Sequence, residues 1–272
     1  YTVCIIVMAV LTGIYVIAGG YMATAINDFL QGIIMLVGIA VVIAAVLKGN
    51  GGFMEALNGL ASIQDEAAST QPGVFASFFG PDPLNLLGVV ILTSLGTWGL
   101  PQMVQKFYAI KSEDSIKKGT IISTLFAVVV SGGCYFLGGF GRLFSDQIDI
   151  AANGYDSVIP TMLSGLSPIL IGLVVILVLS ASMSTLSSLV MASSSTLTLD
   201  VLKGHVIKDM DEKKQVLIMR LLIVVFITIS VVIAGIQYKS NITFIAQLMG
   251  VSWGALAGAF LAPFLYGLYW KR

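Results

Sequence analysis

The chain has few charged residues and almost none of the side chains that bind transition metals. Of its 272 residues only 10% are charged, and 14 basic and 14 acidic residues give a net charge of zero. Nucleic-acid-binding proteins carry a basic surface, so we expect no nucleic-acid partner. One histidine and two cysteines cannot form a metal cluster, and Cys4 and Cys134 lie within apolar runs as small hydrophobic residues do.

Long apolar segments make up most of the chain. Hydrophobic residues account for 57% of it, and the mean hydropathy is +0.97, which indicates an integral membrane protein. A membrane-spanning helix needs about 20 residues. The apolar runs are far longer than a barrel strand and do not alternate between apolar and polar residues, so strands are not expected. We therefore predict an all-α transmembrane fold with about seven spans: Tyr1 to Ala18, Phe29 to Leu47, Leu84 to Val104, Gly119 to Phe140, Ile169 to Leu199, Val216 to Ile236, and Ile242 to Trp270.

The basic residues predict the orientation of these spans. Eleven of them fall on one side of the predicted topology, and only Lys48, Arg142 and Lys239 fall on the other. Positive residues favour the cytoplasmic side. We predict one membrane domain over residues 1–272, an extracellular loop at 49–83, and cytoplasmic loops at 105–118 and 200–215.

The segment from Ser180 to Asp200 is unusually rich in hydroxyl groups and continues an apolar run. Small hard cations take several oxygen ligands, and residues three or four apart share a helical face. This pattern favours a membrane transporter with an ion site. The alternative is that these hydroxyls bond to carbonyls of their own helix or join neighbouring helices.

Four sequence motifs occur in order along the chain. They are Y-V-I-A-G-G-Y-M-A-T-A-I-N-D-F-L-Q from Tyr15, W-G-L-P-Q-M-V-Q-K-F-Y-A-I-K-S from Trp98, A-S-M-S-T-L-S-S…S-S-S-T-L-T-L-D from Ala181, and the closing G-L-Y-W-K-R from Gly267. In these motifs the chain resembles the sodium/solute symporter family.

The resemblance implies an inverted-repeat, leucine-transporter-like helical bundle with ten core helices. The chain would be a fragment that corresponds to core helices four to ten, with the first three core helices outside it. The implied activity is sodium-coupled symport of a small organic solute, such as an amino acid or organic acid, by alternating access across the bacterial cytoplasmic membrane. Na+ would be the coupling ion, membrane lipid and the solute the other partners, and no enzymatic reaction would take place.

The resemblance also implies a main sodium site. Its ligands would be the carbonyl of Ala181 and the hydroxyls of Ser184 and Thr185. Neutral dipoles can replace the water around a monovalent cation without burying a second full charge. Ser182, turned by about 100° on the same helix, is expected to point elsewhere.

A second sodium site would be formed by Asp28, Ser184, Ser187 and Ser188. Asn27 stands where the family has threonine beside the aspartate. A carboxylate in an apolar segment is a functional candidate. The competing explanation is that Asp28 stabilises a helix N-terminus.

The third predicted span is interrupted by two glycines and a proline. Such discontinuities mark substrate sites in inverted-repeat transporters, although a simple kink would leave the same pattern. An aromatic ring there could stack on the solute or only pack. The candidate substrate-binding residues are Ser94, Thr97, Trp98, Pro101 and Gln102.

Two other classes of membrane protein fit part of the pattern. A seven-helix receptor would share the predicted number of spans and the outside start. In a passive channel, flux would need neither sodium nor alternating access.

Overall fold

A computed structural model describes residues 2–65, 68, 69, 71–108, 110–149, 154–207, 209–240 and 245–270. Within these ranges the chain is helical, and the single β feature is an isolated bridge between Asp65 and Ser69. The predicted all-α fold is confirmed. The helices are α1 (Thr2–Gly49), α2 (Phe53–Ser62), α3 (Pro83–Trp98), α4 (Pro101–Tyr108), α5 (Glu113–Gly139), α6 (Val158–Leu163), α7 (Pro168–Ser195), α8 (Glu212–Ser240) and α9 (Ile245–Tyr269).

Within the described ranges, five apolar helical stretches are long enough to cross a membrane. They are Thr2–Gly49, Glu113–Gln147, Pro168–Val206, Glu212–Lys239 and Gln247–Tyr269. Many of their large apolar side chains are exposed, as expected for helices that face lipid. The prediction of membrane-spanning helices is confirmed.

The structure divides the predicted spans differently from the hydropathy pattern. The first two predicted spans lie in α1, which consists of two helices joined at a non-helical residue, Gly20. The third is split between α3 and α4, with Gly99 and Leu100 between them. Hydropathy averages over many residues, so it does not register the backbone break inside the third span.

The predicted loops contain regular structure. Residues 49–83 include α2 and a 3-10 turn at Val74–Ala76, and residues 200–215 include the end of a π-helical segment, Thr196–Val206, that continues α7. Some residues of the predicted spans, loops and motifs lie outside the described residues. They include Tyr1, Glu66, Ala67, Thr70, Ala109, Lys208, Ile242, Lys271 and Arg272.

Helix α1 breaks at Gly20. This residue has φ 59° and ψ −155°, while its neighbours on both sides are helical. That backbone region is open essentially only to glycine. A Cβ at Gly20 would meet nothing within 4 Å, so the requirement is conformational and not steric. The break divides α1 into a first half (residues 2–19) and a second half (residues 21–49).

We expect Gly20→Ala to destabilise the protein by about 1–3 kcal/mol, because alanine is strained at this φ and ψ. Thermal unfolding of the purified protein measures the effect. Gly235→Ala in α8 is the matched control, since a Cβ there also meets nothing within 4 Å and alanine favours a helix. A melting temperature for Gly20→Ala equal to or above that of the control would contradict the strained break.

The first of two compact units comprises Tyr1–Met35 and Val175–Thr243. Its core contains Ala9 and Val16 from the first half of α1, Val190 from α7, and Ile223 and Ile227 from α8. Burial of these side chains aligns the first half of α1 with α7 and α8, and so positions the polar residues between them.

The second unit comprises Leu36–Val174 and Phe244–Arg272. Here α3 packs closely on α9: a Cβ at Gly99 would lie 2.9 Å from the Cα of Ala257. The backbone N–H of Ile245, the first residue of α9, donates to the Asp156 carboxylate over 3.2 Å. An aspartate at this position satisfies an otherwise unpaired donor at the start of the helix.

Candidate ion-binding site

Helix α7 carries its hydroxyls on two faces. The buried face contains Ser180, Ser187 and Ser194 at intervals of seven residues, followed by Thr198. Seven residues are close to two helical turns, so these groups form one stripe. Ser194 and Thr198 donate to carbonyls four residues earlier, at 2.6 and 2.7 Å. Small residues in such a stripe let neighbouring helices approach closely.

The other face of α7 lines an open concavity. Its lining residues are Ala181, Ser182, Thr185, Leu186 and Leu189. The Thr185 hydroxyl donates to the Ala181 carbonyl over 2.9 Å. Two of the three predicted main-site residues therefore share this concavity. Ser182 lines it too, so the expectation that Ser182 points elsewhere is wrong: an open concavity spans more than 100° of the helix surface.

The Ser184 carbonyl accepts hydrogen bonds from hydroxyls on both faces of α7. That oxygen accepts hydrogen bonds from the hydroxyls of Ser187 at 3.0 Å and Ser188 at 2.8 Å. A hydroxyl that donates to a carbonyl still has lone pairs available for a cation. Bonding within the helix, the alternative considered for these hydroxyls, is present, and it leaves their oxygens able to act as ligands.

Asp28 meets α7 at Ser187. The Ser187 hydroxyl, whose residue is 0% exposed, lies 3.5 Å from the Asp28 Oδ1 atom. Asp28 itself is half-buried and lies in the interior of the second half of α1, about two turns beyond Gly20. The suggestion that it stabilises a helix N-terminus is therefore wrong, since that effect is confined to the first turn.

Several polar groups beside this pair received no role from the sequence. The Tyr15 hydroxyl donates to the Met183 carbonyl over 3.1 Å and lies close to Thr12, Asn27 and Ser187. In the part of the chain that the structure describes, three buried polar atoms have no hydrogen-bond partner: Thr12 Oγ1, Asn27 Nδ2 and Gln31 Oε1. Tyr15 and Gln31 belong to the first motif, but only the tertiary contact of Tyr15 and the burial of Gln31 distinguish them from other motif residues.

The candidate substrate residues lie in the second unit, at the junction of α3 and α4. Thr97 donates to the Ser94 carbonyl over 2.7 Å, and Trp98 ends α3 with 57% of its surface exposed. Pro101 and Gln102 begin α4 and are half-buried. The predicted discontinuity is therefore a true helix end followed by a new helix.

Comparison with known proteins supplies an independent line of information. A family model described as the sodium:solute symporter family matches residues 1–272. A sodium/proline symporter of Staphylococcus aureus is 31% identical over 274 residues, which cover 98% of this chain and 50% of that protein. A sodium/pantothenate symporter of Haemophilus influenzae is 25% identical over 277 residues, which cover 100% of this chain and 54% of that protein. The chain thus spans about half the length of the curated relatives it matches.

Proposed function

Since the chain belongs to the sodium:solute symporter family, we propose that it forms part of a sodium-coupled symporter that imports a small organic solute. It is a protein of the bacterial cytoplasmic membrane. The match over the whole chain carries the proposal. It argues against a seven-helix receptor, and a transporter of this kind performs no covalent chemistry.

The hydroxyl-rich helix α7 supports the coupling role of sodium. The Ala181 carbonyl and the Ser184 and Thr185 hydroxyls provide neutral ligands for the main site. Asp28, with Ser184, Ser187 and Ser188, provides the second. One charge that moves through 100 mV contributes about 2.3 kcal/mol, and two sodium ions would double that driving force. Sodium binding would favour one conformation of the transporter and its release the other.

The named relatives support a proposal for the solute class. Their names specify proline for one and pantothenate for the other, and both compounds carry a carboxylate. We therefore favour a small carboxylate solute. Its binding region would include Ser94, Thr97, Trp98, Pro101 and Gln102, because interrupted helices form the substrate site in inverted-repeat transporters.

Solute uptake by the full-length protein in proteoliposomes tests this proposal. Radiolabelled proline, pantothenate and related carboxylates are added with an inward sodium gradient, and choline replaces sodium in the control. At least one solute should accumulate above its external concentration only with sodium. An ionophore that collapses the gradient should release it. Equilibration without accumulation, independent of sodium, would instead identify a passive channel.

The orientation predicted from the basic residues also remains a proposal, and cysteine labelling tests it. In a background without Cys4 and Cys134, which are free and exposed, Ser69→Cys should react with an impermeant maleimide in intact cells. Lys117→Cys should react only after permeabilisation, because residues 105–118 are assigned to the cytoplasmic side. The reverse pattern would invert the topology.

A further inference from the structure

The first half of α1 brings two oxygen atoms to the Asp28–Ser187 pair. Thr12 and Tyr15 are three residues apart and so share one face of the helix. The Tyr15 hydroxyl donates its hydrogen to the Met183 carbonyl over 3.1 Å. Its oxygen lies near Ser187 and Thr12 and in the field of the Asp28 carboxylate. The Tyr15 lone pairs therefore remain available to a ligand within this cluster.

Thr12 differs from other threonines in these helices. Thr24, Thr185 and Thr198 each donate to a carbonyl four residues earlier. The Thr12 residue is 0% exposed, yet among the described residues its hydroxyl oxygen forms no hydrogen bond, although the Tyr15 hydroxyl is near it. A buried hydroxyl without a partner is unfavourable, because its lost hydrogen bonds to water are not replaced. A bound ligand that contacts this oxygen would remove that cost.

The spacing of the Asp28–Ser187 pair fits a cation between the two oxygens. A direct hydrogen bond from a hydroxyl to a carboxylate is about 2.5–2.7 Å long, whereas this pair is separated by 3.5 Å. Two oxygens that each lie about 2.4 Å from one cation, at a right angle, are roughly 3.4 Å apart. The negative charge of Asp28 favours a cation over a neutral ligand at this position.

We propose that Thr12 and Tyr15 are additional oxygen ligands of a sodium ion bound by Asp28 and Ser187. This inference rests on the proposed sodium coupling. Thr12 and Tyr15 precede the break at Gly20, Asp28 follows it, and Ser187 is on α7. The ion would thus join both halves of α1 to α7, and its occupancy would be coupled to the angle at the break.

The test measures sodium binding without knowledge of the solute. The melting temperature of the purified full-length protein in detergent is followed as sodium replaces choline. The relevant signal is the part of the sodium-dependent stabilisation that Asp28→Asn removes. Thr12→Val and Tyr15→Phe should each raise the half-saturating sodium concentration of this part by about tenfold. Thr228→Val, an exposed threonine in α8, and Tyr21→Phe, an exposed tyrosine in α1, are the controls and should leave it unchanged.

The double variant Thr12→Val with Asp28→Asn should show no sodium effect beyond that of Asp28→Asn alone, because both residues act on one ion. A wild-type protein whose melting temperature ignores sodium would overturn the proposed coupling and this inference together. The inference alone would be overturned if the wild-type melting temperature depends on sodium and Thr12→Val and Tyr15→Phe lower it by the same amount at every sodium concentration. That result would assign the two hydroxyls to packing or to a bound water.

Discussion

Asp28→Asn should weaken apparent sodium affinity at the second site by at least about thirtyfold. Asparagine keeps a carbonyl oxygen but removes the one negative charge that contacts the Ser187 hydroxyl. Removal of one partner from a largely desolvated charge pair costs about 2–5 kcal/mol, and each 1.4 kcal/mol corresponds to about tenfold in affinity. The measurement is the sodium concentration that gives half-maximal stabilisation or half-maximal uptake.

Two further substitutions separate the effect of charge from that of structure. Asp28→Glu retains the charge and should recover part of the sodium affinity. Asp209→Asn removes an exposed carboxylate from the same unit and should behave as wild type. If Asp28→Asn kept the wild-type sodium dependence, Asp28 would be a packing residue, and the second site would have to be abandoned.

Thr185→Val should reduce apparent sodium affinity at the main site by roughly ten- to a hundredfold. Valine has nearly the shape of threonine but lacks the hydroxyl that lies 2.9 Å from the Ala181 carbonyl. Loss of one neutral oxygen ligand leaves a desolvated cation one partner short, at a cost of about 1–3 kcal/mol. Solute affinity at saturating sodium should change much less, because the two ligands are coupled only through the conformational equilibrium.

The controls for this experiment follow from the two faces of α7. Thr185→Ser keeps the oxygen and should remain close to wild type. Ser195→Ala removes a hydroxyl that bonds only to the Ala192 carbonyl of its own helix, away from the Ala181 concavity. Ser182 is unsuitable as a control because it lines that concavity. Equal sodium dependence in Thr185→Val and Ser195→Ala would remove Thr185 from the main site.

Most of the candidate site consists of residues that the family resemblance implies. Ser187 and Asp28 were paired from the family motifs, although they are 159 residues apart. Tyr15 and Thr12 were not assigned, because a tyrosine and a threonine in an apolar helix have no local feature that separates packing from ligation. The missing information was the burial of Thr12 and the absence, within the described ranges, of a hydrogen-bond partner for its hydroxyl.

The amino-acid sequence by itself determined that this protein is helical, lies in a membrane, and has one helix rich in hydroxyl groups. Those properties depend on composition and on periodicity within single segments. Only the tertiary structure decided which hydroxyls of α7 face α1, where α1 breaks, and which polar atoms remain unpaired. Helical periodicity gives the angle between two side chains of one helix. The face that meets a neighbour is set by packing, as where Tyr15 reaches the Met183 carbonyl 168 residues later.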